Sequence, residues 1–302
     1  MAVYDLDQSR LDSFLASHLS PATENAIVSA LQAANYYPSG IFTLPIDASI
    51  DSGTVDVTAP DDPNPVGMFL ELGTNVTVNL TTDHPIVIAA GDGNVTINDP
   101  GAGDTLVGGA GADSLSVTSG DNLLIGGTGA DTLDGGSGND TLQGGGHSLL
   151  VAGTGDDSLI GGLSATASDT LIGGPGADTL RVLEGNNLLQ AGSGPNVLYG
   201  GIGNDTLDGG TGHDTMYAGS GNEQINGGTG PGSADTVFIG FLGNDTINGG
   251  TNTTVRLADS SSNATEHVLS SGATQITFSD TGQIIDAKTA TIIFGDGHKI
   301  TV

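Results

Sequence analysis

The stretch Gly126-Gly127-Thr128-Gly129-Ala130-Asp131-Thr132-Leu133-Asp134 runs directly into Gly135-Gly136-Ser137-Gly138-Asn139-Asp140-Thr141-Leu142-Gln143. Both halves read Gly-Gly-x-Gly-x-Asp, then x, an apolar residue and x. The same nine-residue frame returns at 108–116, 173–181, 200–208 and 209–217. Glycine turns the backbone through positive φ without steric cost, and the single Asp of each turn supplies a hard oxygen ligand. This is the pattern of a calcium-binding turn built many times over.

Composition points the same way. The chain has 302 residues with 51 glycines and 4% aromatics, too few large side chains for a conventional core over most of its length. Its formal net charge is −30, and the cations are Arg10, Arg181, Arg256, Lys288 and Lys299. Two carboxylates about 4 Å apart repel by roughly 4 kcal/mol at an effective dielectric near 20, and almost no basic side chain is at hand to relieve stacked acidic turns. A cation from solution must do so. The acidity argues against nucleic acid and anionic membranes as partners. With no cysteine, disulfide and thiolate-zinc frameworks are excluded. The N-terminus lacks the basic start and apolar run of a cleaved signal peptide, and no stretch approaches the length of a membrane span.

The nonapeptides between about residues 90 and 250 resemble the RTX repeats of bacterial proteins exported by the type I route, a calcium-binding β-helix repeat. The resemblance implies an all-β fold, a parallel β-roll (β-solenoid) in which two nonapeptides form one coil and calcium ions lie in rows between stacked turns. It implies an uncleaved C-terminal export signal, hence a secreted, extracellular or cell-surface protein, and it implies no catalysis.

Four segments are expected along the chain. Residues 1–44 read as a small helical N-terminal cap or anchor: Leu11, Phe14, Leu15 and Leu19 share one helical face, and Ser20-Pro21 opens a second helix striped by Ile27, Val28 and Leu31. Residues 45–89 read as a linker and first β coils without calcium turns, with strands near 54–59, 67–72, 75–80 and 85–90. Residues 90–250 form the roll. Inward apolar positions fall every nine residues from Ile88 through Leu142, slip to Leu150 and Leu159, resume at Leu171 after an insertion at 163–167, and run on to Met216, Ile225, Val237 and Ile247. Residues 251–302 read as a C-terminal β cap, with a hairpin turn at Gly295-Asp296-Gly297 and the export signal that the resemblance implies.

With coils of eighteen residues, sixth-position carboxylates eighteen apart share an ion. Asp113 pairs with Asp131; allowing for the deletion and insertions, Asp140 pairs with Asp157, Asp157 with Asp178, and Asp214 with Asp235, while Asp205, Glu223 and Asp245 form a further row. About six calcium sites with two acidic side chains result, completed by turn carbonyls. Val95, Asn122, Asn187 and Asn196 break the sixth position, and Gly144-Gly-Gly-His147-Ser148 is short and acid-free. Those turns are expected to bind weakly or to hold water.

Position nine points outward, and on one sheet it is mostly apolar: Val107, Ile125, Ile160, Tyr199, Tyr217 and Phe238, with Gln143 and Arg181. Such a stripe is either covered by a terminal segment or used for self-association or adhesion. The sequence holds no His-Glu-x-x-His and no Gly-x-Ser-x-Gly, so no enzyme is expected. The reading is a secreted calcium-binding structural protein of the bacterial surface or matrix that folds and self-assembles on calcium. A monomeric adhesion module for glycan or a larger surface protein is the alternative. No membrane insertion is expected.

Overall fold

The computed structural model describes residues 3–6, 42–45, 53–57, 66–69, 75–80, 86–89 and 93–302, without 102, 163, 229, 231–233, 241–242, 259–263, 269–273 and 280. Among them there is no helix. The two helices expected within residues 11–31 lie outside the described residues. What is described of the first segment is β-structure: Val3–Leu6 pairs antiparallel with Phe42–Pro45. Among the described residues no helix is long and apolar enough to cross a membrane.

The chain divides into two compact units, residues 1–153 and 154–302. Each is a parallel β-solenoid in which a strand pairs with the strand two further along. In the first unit, one row sets Leu106 against Leu124 and Leu124 against Leu142; the facing row sets Ile97 against Leu115, Leu115 against Leu133 and Leu133 against Leu150. All of these are fully buried. A strand of x-apolar-x sends only its middle side chain into the interior of the roll, because successive residues point to opposite faces. The core is therefore a column one residue wide, and identical residues stack along it.

The roll begins earlier than its motif. Gly53–Val57 pairs in parallel with Val76–Leu80, and Val66–Phe69 with Ile86–Ala89. Coils there repeat at about twenty residues without glycine-rich turns, and the strand near 54–59 within the expected linker and first coils is itself part of a coil. In the second unit the columns run Leu159, Leu180, Leu198, Met216, Val237 and Leu171, Leu189, Leu207, Ile225, Ile247. The roll also outlasts its motif. Asp245–Leu257 is one long strand whose second half pairs with Thr236–Ile239, placing Val255 in the core, and Ile284–Ile293 adds a further layer. Beyond that the pairing turns antiparallel through Ala264–Val268, Thr274–Phe278 and Lys299–Thr301, with the expected turn at Gly297 (φ 86°).

Candidate metal centre

In the turns that carry the full motif, two glycines are fixed by geometry. Gly127 and Gly129 have φ of 104° and 138°, and a Cβ on either would overlap the carbonyl oxygen of its counterpart, Gly109 or Gly111, one coil away. Both the dihedral and the stacking distance demand glycine. Adjacent turns thus lie backbone on backbone, and their sixth-position side chains are driven between the layers.

There the two carboxylate oxygens have separate duties. Oδ1 accepts a backbone N–H from the turn one coil earlier: Val95 donates to Asp113 at 2.9 Å and Asp113 to Asp131 at 3.0 Å. In the second unit, Asp157 donates to Asp178 (3.0 Å), Asp178 to Asn196 (2.8 Å), Asn196 to Asp214 (2.9 Å) and Asp214 to Asp235 (3.1 Å). The other turn row of that unit runs Asp169 to Asn187 (2.9 Å), Asn187 to Asp205 (2.8 Å) and Glu223 to Asp245 (3.1 Å). The pairs Asp113–Asp131, Asp157–Asp178, Asp214–Asp235 and Glu223–Asp245 are therefore brought together as the spacing required. Asp140 and Asp157 belong to different units; Asp140 accepts from Asn122 within its own (2.8 Å).

The second oxygen is the informative one. Oδ2 of Asp113, Asp178, Asp205 and Asp214 is buried and meets no hydrogen-bond donor. Over the first-position glycine it converges on another acceptor. A Cβ at Gly108 would meet both Asp113 Oδ2 and the Gly126 carbonyl oxygen (2.6 Å), and one at Gly173 would meet Asp178 Oδ2 and the Ala191 carbonyl oxygen (2.6 Å). Buried acceptors that face one another without a donor are costly when ionised, and either a proton on the carboxyl or a bound cation relieves them. Every ligand on offer is a carboxylate or carbonyl oxygen, the donor set of calcium. Among the described residues no three acidic or histidine side chains gather as a metal cluster, so turn carbonyls must complete the coordination. Bound there, calcium would supply the positive charge that the layers lack.

Electrostatics agree. Burial, reinforced by the charge of Asp131, pushes Asp113 up to about 7. Asp178, Asp205 and Asp214 rise to about 6, again chiefly through burial. Glu223 is pushed to about 10 by burial and by the facing Asp245. A folded-state pKa above the unfolded value means that the fold binds extra protons, so metal-free stability falls as pH rises from about 4 to 7. In chelator, β-structure seen by circular dichroism is expected to increase as pH drops from about 8 to 5. With calcium present the same acidification should instead displace the ion, measurable as calcium release.

A family model for the RTX calcium-binding nonapeptide repeat (4 copies) matches this region repeatedly, from residue 87 to residue 252, more than half of the chain. The chain belongs to the RTX calcium-binding repeat family. No curated protein gave a significant match.

Within this RTX roll the asparagine turns differ from the acidic ones. Asn122 Nδ2 donates to the carbonyls of Gly120 (2.7 Å) and Ser119 (3.2 Å), Asn187 Nδ2 to Glu184 (3.1 Å), and Asn196 Nδ2 to Gly194 (3.0 Å). Their Oδ1 keeps the inter-coil bond. An amide donor stands where the acidic turn offers an unpaired oxygen, a physical reason to expect weaker calcium binding at these turns. One signal was present in the sequence. The first position is Val117, Val182 or Ala191 in these turns, and Gly108, Gly126, Gly173 and Gly209 before Asp113, Asp131, Asp178 and Asp214, although Ala152 precedes Asp157 and Ala218 precedes Glu223. Ser148 serves the shortened turn similarly, accepting from Gly145 (3.1 Å) and Asp131 (3.3 Å). Asn196→Asp should then remove a donor, bury an unpaired acceptor and cost the metal-free roll about 1–3 kcal/mol, read as a higher calcium midpoint for folding.

Position five also carries a ladder that sequence reading missed. Asn186, Asn204, Asn222 and Asn244 each accept, through Oδ1, a backbone N–H of the next coil: Asn204 (2.8 Å), Asn222 (2.9 Å), Asn244 (2.8 Å) and Ile284 (2.8 Å). These bonds need no metal and stitch one turn row of the second unit.

Proposed function

We propose that the protein is a secreted, calcium-conditioned structural protein of the bacterial surface or extracellular matrix. The observation that carries this reading is the set of buried carboxylate oxygens set against carbonyls with no donor between them. Such layers repel in a low-calcium cytosol and close where calcium is plentiful, so metal-binding free energy becomes folding free energy. A chain kept open until it leaves the cell suits export by an uncleaved C-terminal signal within residues 251–302. The reading assigns no catalysis to the roll.

Self-association through the outward stripe is narrower than the sequence suggested. Val107 and Ile125 are 0% and 6% exposed and take no part in a free surface. The open portion is the second unit's Ile160, Tyr199, Tyr217 and Phe238, and sedimentation with and without calcium tests whether copies meet there. Limited proteolysis at cytosolic and at extracellular calcium tests the main reading. Resistant fragments spanning the repeats only at extracellular calcium are expected; equal resistance at both would remove the basis for calcium-gated folding after export.

A further inference from the structure

The open face of the second unit concentrates a positive charge that is scarce in the rest of the chain. Successive strands place Arg181 beside Tyr199, Tyr199 beside Tyr217, Tyr217 beside Phe238 and Phe238 beside Arg256. The column continues through Ile293 to Lys299. Three of the five Lys and Arg residues of a chain of net charge −30 thus stand in one line. The strands that carry them, Ser158–Ile160, Thr179–Arg181, Val197–Tyr199, Thr215–Tyr217, Thr236–Ile239 and Lys299–Thr301, with the segments 254–256 and 291–293, contain no acidic residue. Arg181, Arg256 and Lys299 are exposed.

The rings define what can lie there. Tyr199 and Tyr217 stack at 4.8 Å and 3°, and Tyr217 and Phe238 at 4.9 Å and 9°. Tyr217 has a ring on each face, and Tyr199 and Tyr217 both remain exposed. Beside them runs a column of Thr179, Val197, Thr215, Thr236 and Thr254, and between Ile160 and Tyr199 a shallow depression borders Arg181. At about 4.8 Å per strand the cations span roughly 29 Å along the column, yet a face three residues wide is only about 10 Å across. A footprint of roughly 300–350 Å² falls well short of the roughly 800 Å² per partner of a standard protein interface. A single slender polymer fits it better than a second copy.

We propose that this face binds a linear anionic polysaccharide, its acidic groups on Arg181, Arg256 and Lys299 and its hydroxyls along the tyrosine and threonine columns. The inference rests on the calcium-folded roll proposed above. Calcium in the turns also neutralises carboxylates that would otherwise repel such a polymer, so binding should require calcium.

The full chain in calcium is titrated with dextran sulfate, with uncharged dextran, and with polyglutamate as an acidic polymer lacking sugar. Dextran sulfate is expected to bind, dextran not to bind, and polyglutamate to bind about tenfold more weakly. The triple variant Arg181→Gln, Arg256→Gln, Lys299→Gln should lose about tenfold in affinity, as should Tyr199→Ser with Tyr217→Ser, while Lys288→Gln on the opposite sheet changes nothing. Circular dichroism in calcium checks that each variant folds, and Arg181→Lys with Arg256→Lys retains the charge if the triple variant does not. Unchanged affinity in the folded triple variant overturns the proposal. So does equal binding of polyglutamate, or calcium-dependent dimers that the same substitutions dissolve while dextran sulfate goes unbound. If the chain folds with calcium but ignores dextran sulfate, this inference fails alone; if it does not respond to calcium, the functional reading fails with it.

Discussion

Removing calcium is expected to unfold the repeat region, with loss of the β signal in far-UV circular dichroism and its recovery on adding calcium back. In the folded chain Oδ2 of Asp113, Asp178, Asp205 and Asp214 each lies buried without a donor. A buried unsatisfied polar atom costs about 1–3 kcal/mol, and more when charged. Several such costs match the whole stability of an ordinary domain, about 5–15 kcal/mol. Each ion bound to the folded state alone returns about 2.7 kcal/mol at a hundredfold excess over its dissociation constant. The balance therefore changes sign with calcium. Thermal melts at rising calcium should show a midpoint that climbs continuously, since binding is linked to folding.

Gly203→Ala is expected to be nearly as disruptive even in saturating calcium. Its φ is 137°, and the added Cβ would overlap the Gly185 carbonyl oxygen of the neighbouring coil. The dihedral alone costs about 1–3 kcal/mol, and the backbone overlap forces the two coils apart, separating the Asn187 and Asp205 side chains that bond across them (2.9 Å). A loss of about 3 kcal/mol or more follows. Gly297→Ala is the matched control. Gly297 also has positive φ (86°), but nothing lies within 4 Å of an added Cβ, so only the dihedral penalty applies. Calcium-saturated denaturant melts should separate the two variants clearly.

The roll was legible because its core is one residue wide. Leu106, Leu124, Leu142, Leu180, Leu198 and Met216 are all fully buried, and the steps of nine located each of them across the deletion and the insertions. Calcium-turn partners were legible for the same reason, since register in the core fixes register in the turns. Coils without the glycine motif were harder to see. Gly53–Val57 and the strand half at 253–257 pair like the rest, but nothing in their turns marks them. At 253 a threonine takes the place of the sixth-position Asp, its Oγ1 donating to Asp235 Oδ2 (3.4 Å). Alternation alone could not tell covered from open positions either, which is why Val107 and Tyr199 looked equivalent and are not. The role of Asn122, Asn187 and Asn196 depended on where an amide proton points, information that becomes visible only when two turns are set one above the other.

The anomalous-scattering map of crystals grown in calcium is the most direct test of the cation between the layers. Peaks are expected beside Asp113 Oδ2 and the Gly126 carbonyl, and beside Asp178 Oδ2 and the Ala191 carbonyl, with none within the turns of Asn122, Asn187 and Asn196. An ordered roll with no calcium at Asp113 and Asp178 would contradict the account.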